Sequence, residues 1–402
     1  MKLERQRDNQ SWMLDWMVKE TGRTHNFAYG RELPREVKSY KMIPRTMERY
    51  GRHAEELARA AEEAGHRETA LELYTRAMHP YHIGQHSIYE DENQEKIYLH
   101  GRLLASFEGA MRNAEYPIER VEIPFEGSSI QANFHRVPGR SRAPAILYCP
   151  GMDQTKEGYP SPAHNHFAKR GMHVLSIDGP GQGTSNIRKL RVTLDNYERA
   201  GQAAITWLGS RPEVDADRIG VFGCSMGSHW ATQVAGFDPR VKAVATAYAC
   251  YTSKRLLFDV DSPRFKRIFM YMTGIHDEEA FDRFADQYVL DPYFARLKGY
   301  TLMVHGEYDP LSDMDEAFAL YQTIPGPREF WVIENNFHMP VGIENLAGLD
   351  VHPFVADWLR DALGGKKPRD LKREVILREK VGSGPYEQQL VDYRLPGRAG
   401  VG

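Results

Sequence analysis

The chain has 402 residues, 41% of them hydrophobic and 27% charged, with a formal net charge of −3. That length exceeds one compact core, and the near-neutral balance gives no whole-chain argument for nucleic acid or a membrane as partner. Residues Met1 to Asp8 lack the apolar run of a signal peptide, no segment is apolar over a bilayer's width, and Cys149, Cys224 and Cys250 have neither an even count nor metal spacing, so a reduced, cytoplasmic protein without metal or cofactor is expected.

Residues 1–115 read as a helical accessory or cap domain. Met47, Tyr50, Ala54, Leu57, Ala61 and Ala64 recur at steps of three and four and form one apolar stripe, which Gly65 breaks. Ala70, Leu71, Tyr74, Ala77 and Met78 begin a second stripe, which Pro80 is expected to end. Leu104, Phe107 and Met111 continue the pattern on a third helix. One helical pair without a second copy is not a solenoid.

From about residue 118 the period changes to two. Val121–Phe125 and Ile130–Phe134 alternate around a Gly127-Ser128-Ser129 turn, as a half-exposed antiparallel hairpin does. Six continuous apolar runs follow, at 145–148, 173–177, 219–222, 241–245, 301–304 and 330–333, most of them separated by helical patterns. This is the signature of a mostly parallel, eight-stranded α/β sheet with helices on both faces. The core is expected over 116–249 and 299–365. The intervening 250–298 is too long for one crossover and crowds Phe258, Phe265, Ile268, Phe269, Tyr271 and Met272. It reads as a helical lid over the sheet's C-terminal edge, with Asp277-Glu278-Glu279 as the acidic first turn of one lid helix. Residues 366–402 form a patternless C-terminal extension, either a free tail or an arm on a second subunit of a homodimer.

The chemistry centres on Gly223-Cys224-Ser225-Met226-Gly227, a G-x-S-x-G sequence after a strand and before a helix. Such a turn lifts the Ser225 hydroxyl clear of the sheet and leaves the Met226 N–H at a helix N-terminus, suited to an oxyanion. A serine needs a base and an orienting acid, in chain order Ser, Asp or Glu, His. Asp309 follows the 301–304 strand, with Glu307 as the alternative acid, and His338 follows the 330–333 strand. All three therefore sit at one sheet edge. The second oxyanion donor is expected from the loop after the 145–148 strand, at the Met152 amide. Asp178-Gly179-Pro180-Gly181-Gln182-Gly183 lacks the endings of a phosphate or dinucleotide loop and reads as a structural turn. His79, His82 and His86 share a stretch with Pro80 and Gly84, so helical i, i+4 metal geometry is not expected there. Tyr81, His82, Phe258, Phe265, Phe269 and Met272 are the candidate lining of the substrate pocket. Asp261 is read either as the cap of a lid helix or as a neutral carboxyl that donates a proton.

The run Arg211–Gly227 together with Asp178–Gly183 resembles the α/β-hydrolase superfamily. The helical N-terminal region narrows the likeness to its FrsA-like branch, which includes pseudooxynicotine hydrolases and polyketide-shortening hydrolases. The loop Gly151–Glu157 resembles that branch's oxyanion loop. Phe258–Pro263 resembles a lid segment carrying a functional Glu, whose place is taken here by Asp261, one methylene shorter. The resemblance implies a serine hydrolase of small, mostly apolar carbonyl compounds, leaning to carbon–carbon bond cleavage beside an aryl or β-keto carbonyl. Carboxylic ester or lactone hydrolysis uses the same residues, and a non-catalytic binding protein on the same scaffold is the remaining reading.

Overall fold

The computed structural model describes residues 33–378, apart from 140–141, 252–253, 255 and 339–341. The expectations for residues 1–32 and 379–402 lie outside these. Helices α1 (Ile43–Glu63), α2 (Arg67–His86) and α3 (Gln94–Asn113) pack side by side. α1 starts on Pro44, whose missing N–H has no partner to lose in a first turn. α3 starts under the Asn93 side chain, which accepts from the Lys96 N–H.

Two details differ from the expected helices. The buried face of α1 is Ile43, Met47, Gly51, Glu55 and Ala58, while Tyr50 and Leu57 of the anticipated stripe are exposed. The Tyr81 ring lies against Gly51, and its hydroxyl and Arg102 both bond Glu55, so a carboxylate occupies an inward position. α2 also does not stop at Pro80 but runs on to His86. Pro80 forfeits one ladder hydrogen bond, yet Ala77, Met78, Tyr81 and Ile83 are buried on either side of it. Packing outweighs a proline cost of about 3 kcal/mol.

Nine strands form one sheet among the described residues: β1 (Ile118–Phe125), β2 (Ser128–His135), β3 (Ala143–Cys149), β4 (His173–Asp178), β5 (Val214–Cys224), β6 (Val241–Ala247), β7 (Tyr300–Gly306), β8 (Arg328–Ile333) and β9 (Lys372–Leu377). Their order is β1-β2-β4-β3-β5-β6-β7-β8-β9; β2 runs antiparallel to both its neighbours, β1 and β4, and every other pairing is parallel. The hairpin turn is Glu126-Gly127, both at positive φ, so Ser128 and Ser129 already belong to β2. β9 is the ninth strand, in the stretch expected to be patternless. It pairs with β8 from Arg328↔Lys372 to Ile333↔Leu377. Only Val375 and Leu377 of it are buried, and Lys372 and Arg373 face out, as on a guarded edge.

The other α-helices among the described residues are α4 (Gly183–Ile187), α5 (Asn196–Gly209), α6 (Met226–Phe237), α7 (Pro263–Thr273), α8 (Glu278–Gln287), α9 (Asp291–Phe294), α10 (Met314–Gln322) and α11 (His352–Leu363). Successive strand residues face opposite cores: Leu147 and Val221 pack with α5 and α6, Ile146 and Phe222 with α11. Between β6 and β7, a π-helical turn (Leu256–Val260), α7, α8 and α9 occupy the expected lid region. α8 is capped by Asp277, which accepts from the Ala280 N–H at 2.7 Å. No helix among the described residues is long and apolar enough to cross a membrane.

Candidate active site

β5 ends in Cys224 and α6 begins at Met226, so the chain reverses at the single residue Ser225. Its backbone sits at φ 57°, ψ −130°, a conformation that costs energy and persists only where neighbours enforce it. A Cβ on Gly223 would lie 2.0 Å from the Gly227 carbonyl oxygen, and one on Gly227 would lie 2.1 Å from the Cys149 oxygen. The two glycines therefore permit the turn. The Ser228 hydroxyl donates to the Gly223 oxygen and accepts from the Ala247 N–H, tying β5, α6 and β6 together behind it.

The Ser225 hydroxyl lies 2.8 Å from His338 Nε2, and His338 Nδ1 lies 2.7 Å from Asp309 Oδ2. The carboxylate only accepts, so Nδ1 carries the proton and Nε2 is left to accept from serine. The other Asp309 oxygen accepts from the Leu311 N–H at 2.9 Å, which fixes the carboxylate plane. His338 and the Asp309 carboxyl are buried. Glu307 is turned elsewhere and accepts from the Asn335 N–H at 2.8 Å. Cys250 is a neighbour of Ser225, and burial pushes its thiol up to about 12. That neighbour was not anticipated from its place at a strand end.

The loop after β3 passes directly over the nucleophile: a Cβ on Gly151 would stand 3.3 Å from Ser225 Cβ. Met152 follows it, and Met226 opens α6. Asp153 next in the loop is held from two sides. His82 Nε2 donates to its carbonyl oxygen at 2.7 Å, His86 Nε2 to Oδ1 at 3.2 Å, and Arg264 of α7 to Oδ2 at 2.9 Å. Burial pulls the His86 imidazole down to about 4, so it is neutral at pH 7. His82 and His86 thus stand at i, i+4 on a continuous helix, contrary to expectation, with rings stacked at 5.4 Å, and both serve the Asp153 anchor. The loop ends in Lys156, whose ammonium lies between Asp178 (2.8 Å) and Glu157 (2.6 Å), all three buried.

Asp261 lies just before α7. The cap of that helix is Ser262, whose side chain accepts from the Arg264 N–H, which removes the capping reading of Asp261. Its Oδ2 is buried without a hydrogen-bond partner. Burial pushes the carboxyl up from its ordinary value, and Asp309 does so further, against the opposing pull of the Ser262 amide, His338 and Arg264. The pocket candidates separate into groups. Met272 lines a cavity of about 30 Å³ with Met152, Gln154, Gln182 and His86. Phe258 and Phe269 meet Phe281 edge-to-face inside the lid, and Phe265 lies under the Arg264 guanidinium. Tyr81, expected in the pocket, instead lies buried among the N-terminal helices with its hydroxyl on Glu55.

The profile of the FrsA-like family, described as esterase FrsA-like, matches residues 50–276, more than half of the chain. The chain belongs to the FrsA-like family of α/β-hydrolases. It is 28% identical over 258 residues to 2,6-dihydropseudooxynicotine hydrolase of Paenarthrobacter nicotinovorans, covering 62% of this chain and 66% of that one. It is 31% identical over 231 residues to the α/β-hydrolase ucsC of an Acremonium species (52% and 46%). With esterase FrsA of an Enterobacter species it shares 30% over 178 residues (44% and 40%). The matched segments thus span between about two fifths and two thirds of these relatives. The crystal structure of 2,6-dihydroxy-pseudo-oxynicotine hydrolase superposes with a TM-score of 0.72 at 21% identity, over 85% of this chain and 94% of that one, which establishes the shared fold.

Proposed function

We propose that this protein is a serine hydrolase of small, mostly apolar carbonyl compounds. The carrying observation is the unbroken relay Ser225–His338–Asp309, with 2.8 and 2.7 Å links, at the C-terminal edge of the sheet. In this reading His338 takes the serine proton as Ser225 attacks the carbonyl carbon. Asp309 holds the imidazole tautomer, the Met226 and Met152 amides receive the oxyanion, and His338 protonates an alkoxide leaving group. Water then repeats the cycle on the acyl-enzyme.

The leaning to carbon–carbon cleavage beside an aryl or β-keto carbonyl rests on Asp261. A carbanion-like leaving group must be protonated, and a partly desolvated carboxyl near His338, kept toward its neutral form, is suited to donate. The similarity to 2,6-dihydropseudooxynicotine hydrolase supports the same direction. Carboxylic ester or lactone hydrolysis is the second reading, favoured by the similarity to esterases FrsA. One set of assays tests both. A fluorophosphonate should label the wild-type protein and leave Ser225→Ala unlabelled; labelling of Ser225→Ala would place the nucleophile elsewhere. Asp261→Asn should lower turnover of an aryl β-diketone by roughly a hundredfold or more and of an activated aryl ester much less. Equal losses on both substrates would remove the carbon–carbon reading.

A further inference from the structure

We propose that Gln182, in the loop Asp178–Gly183, is a positioning residue for the oxyanion hole: it fixes the peptide that presents the Met152 N–H. This rests on the serine-hydrolase reading above. The Gln182 side chain is 2% exposed and makes four hydrogen bonds. Its Nε2 donates to the carbonyl oxygens of Pro150 and Gly151, each at 3.0 Å. Its Oε1 accepts from the Tyr197 hydroxyl at 2.8 Å and from the Gly179 N–H at 3.3 Å. The amide orientation is therefore forced, because the flipped form would set an oxygen against two carbonyls and an NH₂ against two donors.

The consequence for Met152 follows from peptide geometry. In a trans peptide the N–H points opposite to the preceding C=O. The Gly151 C=O is held by Gln182 Nε2 and also by the Gln154 N–H at 3.0 Å. Gln154 Oε1 meanwhile accepts from the Gly151 N–H at 3.2 Å and from the Tyr148 hydroxyl at 2.7 Å. The Gly151–Met152 peptide plane thus cannot rotate without breaking buried hydrogen bonds, and it lies against Ser225. An oxyanion donor that is already aimed needs no reorganisation as charge develops, which is the source of its catalytic effect. Tyr197 completes the support: its ring stacks on Trp230 of α6 at 4.4 Å, so the nucleophile helix and the oxyanion loop share one brace.

The test uses the full chain with an activated aryl ester, with rates expressed per site titrated by fluorophosphonate. Gln182→Glu keeps the acceptors for Tyr197 and Gly179 and loses the donors to Pro150 and Gly151. Its kcat should fall by about ten- to a hundredfold with KM changed less than about twofold. Tyr197→Phe removes only a hydroxyl, keeps the stacked ring, and should lower kcat by about three- to tenfold. An arylboronic acid, which forms a tetrahedral adduct on a serine, supplies a readout that a merely structural role would not move. Its Ki should rise in each variant by about the factor by which kcat falls. Variants with kcat per titrated site and boronate Ki within about twofold of wild type would overturn the proposal, as would a loss confined to the number of titratable sites. If Gln182→Glu fails to fold, Tyr197→Phe decides alone. A wild-type protein that fluorophosphonate does not label at Ser225 removes the parent reading and this proposal together; a labelled wild type with unaffected variants removes this proposal only.

Discussion

Asp309 and Glu307 leave β7 on one loop, two residues apart, and compete on paper for the same role. The geometry separates them: Asp309 faces His338, and Glu307 is committed to the Asn335 amide. Asp309→Asn should therefore lower kcat by about four orders of magnitude, because an amide stabilises the wrong imidazole tautomer. Glu307→Gln keeps an acceptor for Asn335 and should change kcat less than about threefold. The reverse ranking in steady-state kinetics would reassign the acid. The order Ser225, Asp309, His338 was legible because each stands immediately after a strand with a strong apolar signature. Gln182 and Gln154 were not legible as supports, because a glutamine carries no periodic signal and its partners are backbone carbonyls and amides brought together only by the fold.

At the scale of elements, the oxyanion loop is where three parts of the chain meet. α2 supplies His82 and His86, α7 supplies Arg264, and the loop supplies Asp153 between them. We propose that residues 1–115 act as a cap that is integral to the site rather than an independent module. A protein starting near Ala114 should be insoluble or inactive, since it would leave the Arg264–Asp153 pair exposed and one side of the loop unheld. Arg264→Met in the full chain tests the same junction more gently. Removing one partner of a buried ion pair costs about 3–5 kcal/mol, which urea unfolding should register, and kcat should fall as well. A truncated protein with wild-type kinetics would refute the cap. The sequence concealed this junction because Pro80 signals a helix end, and only the packing of Tyr81 and Ile83 carries α2 on to His86. β9 was concealed for a related reason, since an edge strand with two buried residues has too short an alternation to stand out.

For the molecule as a whole, the seat of the N-terminal helices on the sheet is lined with neutral histidines. His86 meets Asp153, His100 of α3 bonds Thr184 of α4 at 2.9 Å, and His135 of β2 bonds the Tyr116 hydroxyl at 3.0 Å beside Phe107 of α3. Burial pulls His86 down to about 4 and His100 and His135 to about 3, from an ordinary value near 6.5. The sign is that of a base disfavoured as a cation in the folded state. Between pH 6.5 and about 3–4 the unfolded chain binds these protons and the folded chain does not, so stability is full above pH 6.5 and falls as pH falls through that window. Each such histidine contributes a slope of about 1.4 kcal/mol per pH unit there. Thermal unfolding should thus give a Tm that drops steeply below pH 6. His135→Gln and His100→Asn, which cannot take up the proton, should each flatten that drop while lowering Tm at pH 7.5 through altered packing. Since these residues lie between the helices and the sheet, the helices should lose their seat first on acidification. Hydrogen exchange at pH 5 should therefore rise in α2 and α3 before it rises in β3 and β5. Uniform exchange across all four elements, or a Tm indifferent to pH between 7 and 5, would show that burial at these histidines does not set the acid limit of the fold.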